Sequence, residues 1–283
     1  MKRNKIDVID QIPSSAQQTF ESDLGDRAVN QPAAIFQSFT IPGNAEHFTG
    51  DEGKLRKEAI SMAIDRAAIT KTIFNNTRTP PAKDFTSPVI AGWSDSIKGS
   101  DVLKFDAKKA KELWAEADKI SPWSGSFQIA YNSDGGHQAW VDAVANQLKN
   151  NLGIDASGNP YVDFATLRKD VNARTIKTAF RTGWQADYPA QYNFLQPLYG
   201  TKASSNDSDY SNPRVRQARR EGRLGDQPGG RHEGLRAGTG DPLQGPARHP
   251  AVVLERQRRL RQGREQRPVR VELGSAVLRD HQG

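Results

Sequence analysis

FQIAYNSDGGHQAWVDAVANQLKNNLG, residues 127–153, changes its apolar period from two to about 3.6 across a single turn. Phe127, Ile129 and Tyr131 point to one side of a strand. Asn132 to Gly136 makes a turn, and Trp140, Val141, Val144, Ala145, Leu148 and Leu152 form one stripe of a helix that Gly153 closes. Downstream the spacing predicts a short strand over Tyr161 to Phe164, a short helix over Leu167 to Ala173 and a strand over Thr178 to Trp184. That β-α-β-α-β order favours an α/β domain with an at least partly parallel sheet. In open sheets of this kind ligands sit at the carboxyl ends of the strands, so the residues after Trp184 are the place to look for a site.

Upstream, Gly50 to Phe74 reads as one amphipathic helix: Asp51 can cap it, and Leu55, Ala59, Met62, Ala63, Arg66 and Ile73 recur at helical spacing. Pro80, Pro81 and Pro88 enforce an extended loop containing Phe85 and Trp93, and a second helix is expected over Ala107 to Asp118, burying Ala110, Leu113, Trp114 and Ala117. The opening, Ile6 to Thr40, has short apolar runs but no recognisable entry element, and reads like the middle of a domain.

The 283 residues carry 40 Lys plus Arg against 33 Asp plus Glu and no cysteine. The surplus is local. Arg214 to Gly283 holds 16 Arg, no Lys, 8 acidic residues and no Phe, Trp or Tyr, a net +8, whereas the first 213 residues sum to minus one. Without cysteine there is no thiolate nucleophile, disulfide framework, iron–sulfur cluster or cysteine zinc site. Apolar runs fall far short of the roughly 18 to 20 residues that span a bilayer, and Met1 to Gln11 lacks the apolar core of a secretory signal. Hydrolytic, dinucleotide and phosphate-loop signatures are missing, and His47 and His137 stand alone, as surface or hydrogen-bonded histidines usually do. No enzyme, cofactor or metal is expected.

One segment concentrates recognition chemistry: Arg181-Thr182-Gly183-Trp184-Gln185-Ala186-Asp187-Tyr188-Pro189, followed by Tyr192, Phe194, Leu195 and Tyr199. A carboxylate beside aromatic walls is a good receptor for an ammonium group, through charge-assisted hydrogen bonds and the attraction of ring faces for cations. From chemistry alone, the same residues fit better as structure, with Trp184 and Tyr188 as core rings and Asp187 as the cap of a turn before Pro189.

Three stretches resemble a known family. Lys57 to Arg66 is similar to the "R-x-A-x-x-x-A-I-D-R" helix of the extracellular solute-binding proteins of family 5, the peptide-binding components of ABC importers, with Lys57 where Arg is usual. Phe105 to Leu113 resembles that family's "F-D-P-x-K-A-K-x-L-L" helix, with Ala107 where Pro is usual. Gly183 to Pro189 matches its "G-W-x-A-D-Y-P" segment, although the family commonly continues Pro-Asp-Pro after the tyrosine and this chain has Pro189-Ala190-Gln191. The resemblance covers roughly Lys5 to Pro213.

It implies a two-lobed, class II periplasmic-binding-protein-like α/β fold, represented mainly by its second lobe. Residues 1–47 would be a remnant of the first lobe and crossover, 48–212 the second, ligand-binding lobe, and 213–283 a tail. It further implies noncovalent capture of a peptide or other small solute, delivery to ABC permease subunits in the membrane, and an extracytoplasmic, membrane-anchored location for the intact protein. Asp187 would take the peptide's α-ammonium group, Trp184 and Tyr188 would line the cleft, and Arg181 would face a ligand carboxylate or pair with Asp187.

Two explanations compete for the tail, whose 11 Gly and 5 Pro from Arg214 onward cannot build a sizeable core. One is a basic, disordered nucleic-acid-binding segment with Arg256 to Arg270 as its patch, though without aromatic platforms only nonspecific phosphate attraction remains. The other is a shifted reading frame. Read one nucleotide later, Arg248 to Val253 admits Ala-Ile-Pro-Leu-Trp-Tyr and Leu235 to Asp241 admits Tyr-Glu-Gln-Ala-Gln-Glu-Ile, which resemble the family's closing helix and its "P-A-I-P-L-W" strand. The second explanation is the expectation here.

Overall fold

The two-residue alternation at 127–132 divides the molecule into layers. The computed structural model describes residue 16 and residues 19–29, 32–74 and 80–220. Along it run α1 (Phe20–Leu24), β1 (Ile35–Thr40), α2 (Gly50–Met62), α3 (Arg66–Phe74), α4 (Ala107–Ile120), β2 (Phe127–Asn132), α5 (Gln138–Leu152), β3 (Ala156–Tyr161), α6 (Phe164–Asn172), β4 (Ala179–Gln185), α7 (Gln191–Tyr199) and α8 (Pro213–Arg220). The sheet order is β1-β4-β2-β3. β2 runs parallel to β3 and β4, and β1 pairs antiparallel with β4.

Odd positions of β2 enter one core. Phe127, Ile129 and Tyr131 pack with Phe39, Ile60, Trp114, Trp140 and Leu148 under α2, α4 and α5. Ala130 and Phe180 turn to the opposite face, onto Leu167 and Val171 of α6. Successive connections therefore lie on opposite faces: β2 leaves toward α5, whereas β3 and β4 leave toward α6 and α7. In open sheets such a reversal leaves a crevice at the carboxyl edge.

Several expectations change. The single helix over 50–74 is two helices, interrupted at Ala63 to Asp65. Asp65 is the cause on the far side of the break, because its carboxylate accepts from the Ala68 N–H at 2.9 Å and starts a new helix. Arg66 then closes the gap, its guanidinium donating to the carbonyls of Ser61 (2.9 Å), Ile64 (3.2 Å) and Leu103 (3.0 Å). Burial lowers the pKa of that guanidinium to about 10. Asp51 does not cap α2. Thr49 holds that position without a side-chain bond, and Asp51 lies in the first turn, where its charge suits the helix dipole.

The strand expected over Tyr161 to Phe164 lies earlier, at Ala156–Tyr161, and Val162 and Phe164 are exposed. As an edge strand, β3 tolerates Pro160, which has no N–H to give a ladder. Gly158 suits close packing, since a Cβ there would come within 2.9 Å of the Tyr131 ring and 3.1 Å of Val141. Small and polar residues chosen for an edge carry no apolar alternation, so the strand is silent in the sequence.

Phe39, Ile41, Ala45 and Phe48, on either side of the boundary expected between residues 47 and 48, pack into one core with α2, α4 and α5. Residues 221–283, with Arg256 to Arg270 and the stretches read in the alternative frame, lie outside the described residues, as do Ile6 to Ser15.

Candidate functional site

β1 and β4 together set the site's position. Their antiparallel register pairs Ile35 with Gln185 and Phe36 with Trp184. It is prolonged by the Ala186 N–H donating to Ala34 O at 2.9 Å, which carries the chain to the end of the sheet before it turns at Asp187. After that turn α7 starts at Gln191, with Ala190 in the extended conformation at its N-cap and no side-chain cap bond. The family pattern has Asp at the position of Ala190, a strong N-cap residue. Its absence explains why α7 is not legible in the sequence.

Asn193, in the first turn of α7 and 4% exposed, reaches back to the strand end. Its Oδ1 accepts from the Trp184 indole Nε1–H at 3.0 Å and from the Asp187 backbone N–H at 3.0 Å. Both partners are donors, so the amide oxygen must face them. The Nδ2 group then points at Asp187 Oδ2, at 3.5 Å. Asn193 went unrecognised in the sequence. The available signal was a buried-type amide inside the apolar run Tyr192-Asn193-Phe194-Leu195.

Trp184 is partly buried against Phe36, Ala82, Ile90 and Phe194. The core reading of this ring therefore holds in part. Asp187 and Tyr188 are exposed, the latter at 42%. The arrangement is a solvent-facing carboxylate at the carboxyl end of β4, beside an indole whose orientation is set by the same amide. Arg181 is apart from it. Alternation puts Arg181, opposite Phe39, on the other face of the sheet from Trp184. Its guanidinium lies over the Phe164 ring, 5.3 Å from the centroid.

On that other face His137, 6% exposed, lies at the amino end of α5. Its Nδ1 is 2.9 Å from Gln37 Nε2 and 3.2 Å from Trp140 Nε1. Both are N–H donors, so Nδ1 accepts and the ring proton sits on Nε2. Among the described residues no group of three or more His, Cys, Asp or Glu is placed to hold a metal.

A cavity of about 360 Å³ opens at the opposite, amino edge of β2 and β4, lined by Ile41, His47, Phe48, Trp123, Phe127 and Lys177 among others. Its histidine is committed elsewhere, with Nδ1 2.7 Å from Glu52 Oε1 and Nε2 3.4 Å from Ser124 Oγ.

The other two family-like stretches build scaffold. Lys57, 9% exposed, donates its ammonium to Phe48 O at 2.6 Å. Asp106 caps α4 through the Lys109 N–H at 2.9 Å, while its own N–H donates to Met62 O at 2.9 Å, which ties the start of α4 to the end of α2. Ala107, where the family has Pro, is the first helical residue, the position at which Pro is best tolerated.

The model of the bacterial extracellular solute-binding proteins, family 5 Middle, matches residues 1–206. The oligopeptide-binding protein OppA of Bacillus subtilis is 25% identical over 217 residues, covering 73% of this chain and 37% of the relative. The periplasmic murein peptide-binding protein MppA of Escherichia coli is 26% identical, covering 74% of this chain and 38% of the relative. The solved structure of the Escherichia coli murein tripeptide binding protein superposes with a TM-score of 0.78 at 21% identity, over 92% of this chain and 50% of that one. Haemophilus influenzae OppA, in complex with the peptide RPPGFSPFR, gives 0.73 at 18% identity, over 92% and 50%. The fold is thus that of the two-lobed, class II periplasmic peptide-binding proteins, and this chain spans about half the length of those structures and under two fifths of the two curated relatives.

Proposed function

The chain belongs to the bacterial extracellular solute-binding proteins of family 5, and from that membership we propose that it supplies the ligand-binding lobe of a peptide-capturing component of an ABC importer. In this reading 48–212, with β1 added to its sheet, is the second lobe. A peptide is captured without any bond being made or broken, and the loaded protein delivers it, outside the cytoplasm, to permease subunits in the membrane. Asp187 takes the α-ammonium group, the Trp184 indole and the exposed Tyr188 ring form the wall beside it, and Arg181 contributes positive charge toward a ligand carboxylate.

The observation that carries the reading is the pairing of an exposed carboxylate with an oriented indole at the carboxyl end of β4, held together by Asn193. An ammonium group there gains charge-assisted hydrogen bonds and a ring face, whereas an acetylated amine gains neither.

Isothermal titration of the full chain with trialanine and with N-acetyl-trialanine tests the proposal. Trialanine should bind more tightly, and Asp187→Asn should abolish the difference, a loss of about tenfold or more for a hydrogen bond to a charged group. Equal affinity of wild type for both peptides, or an unchanged preference in Asp187→Asn, would overturn it.

A further inference from the structure

The proposed receptor uses one exposed carboxylate on a turn, and an isolated turn would leave that group to rotate and drift relative to the indole. The described contacts remove this freedom through a single side chain. Asn193 Oδ1 spends its two lone pairs on the Trp184 Nε1–H and the Asp187 backbone N–H, each at 3.0 Å, and Nδ2 is 3.5 Å from Asp187 Oδ2. The amide is 4% exposed and sits on the first turn of a helix whose next residue, Phe194, is fully buried against Phe36, Ala82 and Ile90. A rigid element therefore holds the carboxylate and the ring in one geometry.

We propose that Asn193 is the positioning residue of the ammonium site: it fixes the separation and tilt between Asp187 and Trp184, and so sets the preference for a free amino terminus over a blocked one. The proposal rests on Asp187 being the ammonium receptor. Asn193 does not touch the ligand. Its amide oxygen is saturated by protein donors, and its Nδ2 faces the carboxylate, to which it can only donate. The side chain must be an acceptor toward two N–H groups, which Asp satisfies and Leu of similar volume does not.

Two variants of the full chain separate positioning from bulk packing. In Asn193→Leu, the indole N–H of Trp184 (assigned with Trp184→Phe) and the Asp187 amide should each exchange with solvent about tenfold faster or more, having lost their acceptor. In Asn193→Asp at about pH 3, where a largely protonated carboxyl keeps both that acceptor and a donor toward Asp187, both should stay protected. On binding, Asn193→Leu should reduce the preference for trialanine over N-acetyl-trialanine about tenfold by weakening trialanine alone. A merely structural role would weaken both peptides together.

Unchanged exchange of both hydrogens in Asn193→Leu, loss of their protection in Asn193→Asp, or equal weakening of the two peptides overturns the proposal. If Asn193→Leu does not fold, the protection in Asn193→Asp decides. Failure of the underlying reading looks different: wild type would not discriminate the two peptides, while the exchange of the two hydrogens would still report on Asn193.

Discussion

Arg56 of α2 lies over the ring of Trp114 of α4, with its guanidinium carbon 4.5 Å from the ring centroid. Trp123 stands 5.1 Å away, and the same guanidinium donates to Glu52 Oε1 at 2.8 Å, Asp118 Oδ1 at 2.9 Å and Ser121 O at 2.6 Å. With no exposed surface, it is the charged hub that joins α2 to α4.

Arg56→Ala removes this hub and leaves Glu52, nearly buried, with His47 as its remaining partner. Breaking a buried pair in this way costs about 3–5 kcal/mol, and urea unfolding should register a loss of that size. Arg56→Met, which keeps volume against the two indoles, should cost less. Equal losses would mean that the lost charge and its hydrogen bonds, rather than packing, dominate.

Ala190 occupies an N-cap in the extended conformation with no side chain to accept from the first turn of α7. Ala190→Asp should stabilise the chain by about 0.5–2 kcal/mol, read as a shift in the urea midpoint at unchanged slope. No shift would show that the cap geometry is not attained.

Gly153 ends α5 in the left-handed conformation at φ 74°, its N–H donating to Lys149 O. Gly153→Ala should cost about 1–2 kcal/mol, because a Cβ is penalised there. Thermal unfolding checks this, and a neutral result would imply that the helix end rearranges.

Asp84 is 4% exposed, and burial raises its carboxyl pKa above the usual range against the opposing pull of the backbone N–H groups of Ser94, Phe85 and Thr86. The folded chain therefore holds this proton more tightly than the unfolded chain. The resulting contribution to stability is fully present below the ordinary Asp pKa and is lost as pH rises through the raised value. The stability of wild type minus that of Asp84→Asn, from urea unfolding at a series of pH values, should fall across that window and be flat above it. A difference that rises with pH would reverse the assignment.

Legibility followed burial. Trp140, Val141, Val144, Ala145 and Leu148 declared α5 because one helix face is wholly covered, and Phe127, Ile129 and Tyr131 declared β2 for the same reason. β3 was displaced by several residues because an edge strand of small and polar residues has no face to mark. The break at Ala63 to Asp65 was hidden because apolar spacing continues through it, and the side chains that make it, Asp65 and Arg66, act through hydrogen bonds that periodicity does not record.

By itself the sequence determined the α/β class, the family and the strand end that carries Trp184, Asp187 and Tyr188, since these depend on local periodicity and contiguous residues. Only the tertiary structure decided that Arg181 and Trp184 lie on opposite faces of the sheet, that β1 completes the sheet against β4, and that Asn193 joins the indole to the carboxylate. Each of these is a pairing between chain segments, and register and side-chain hydrogen bonds exist only once the segments meet.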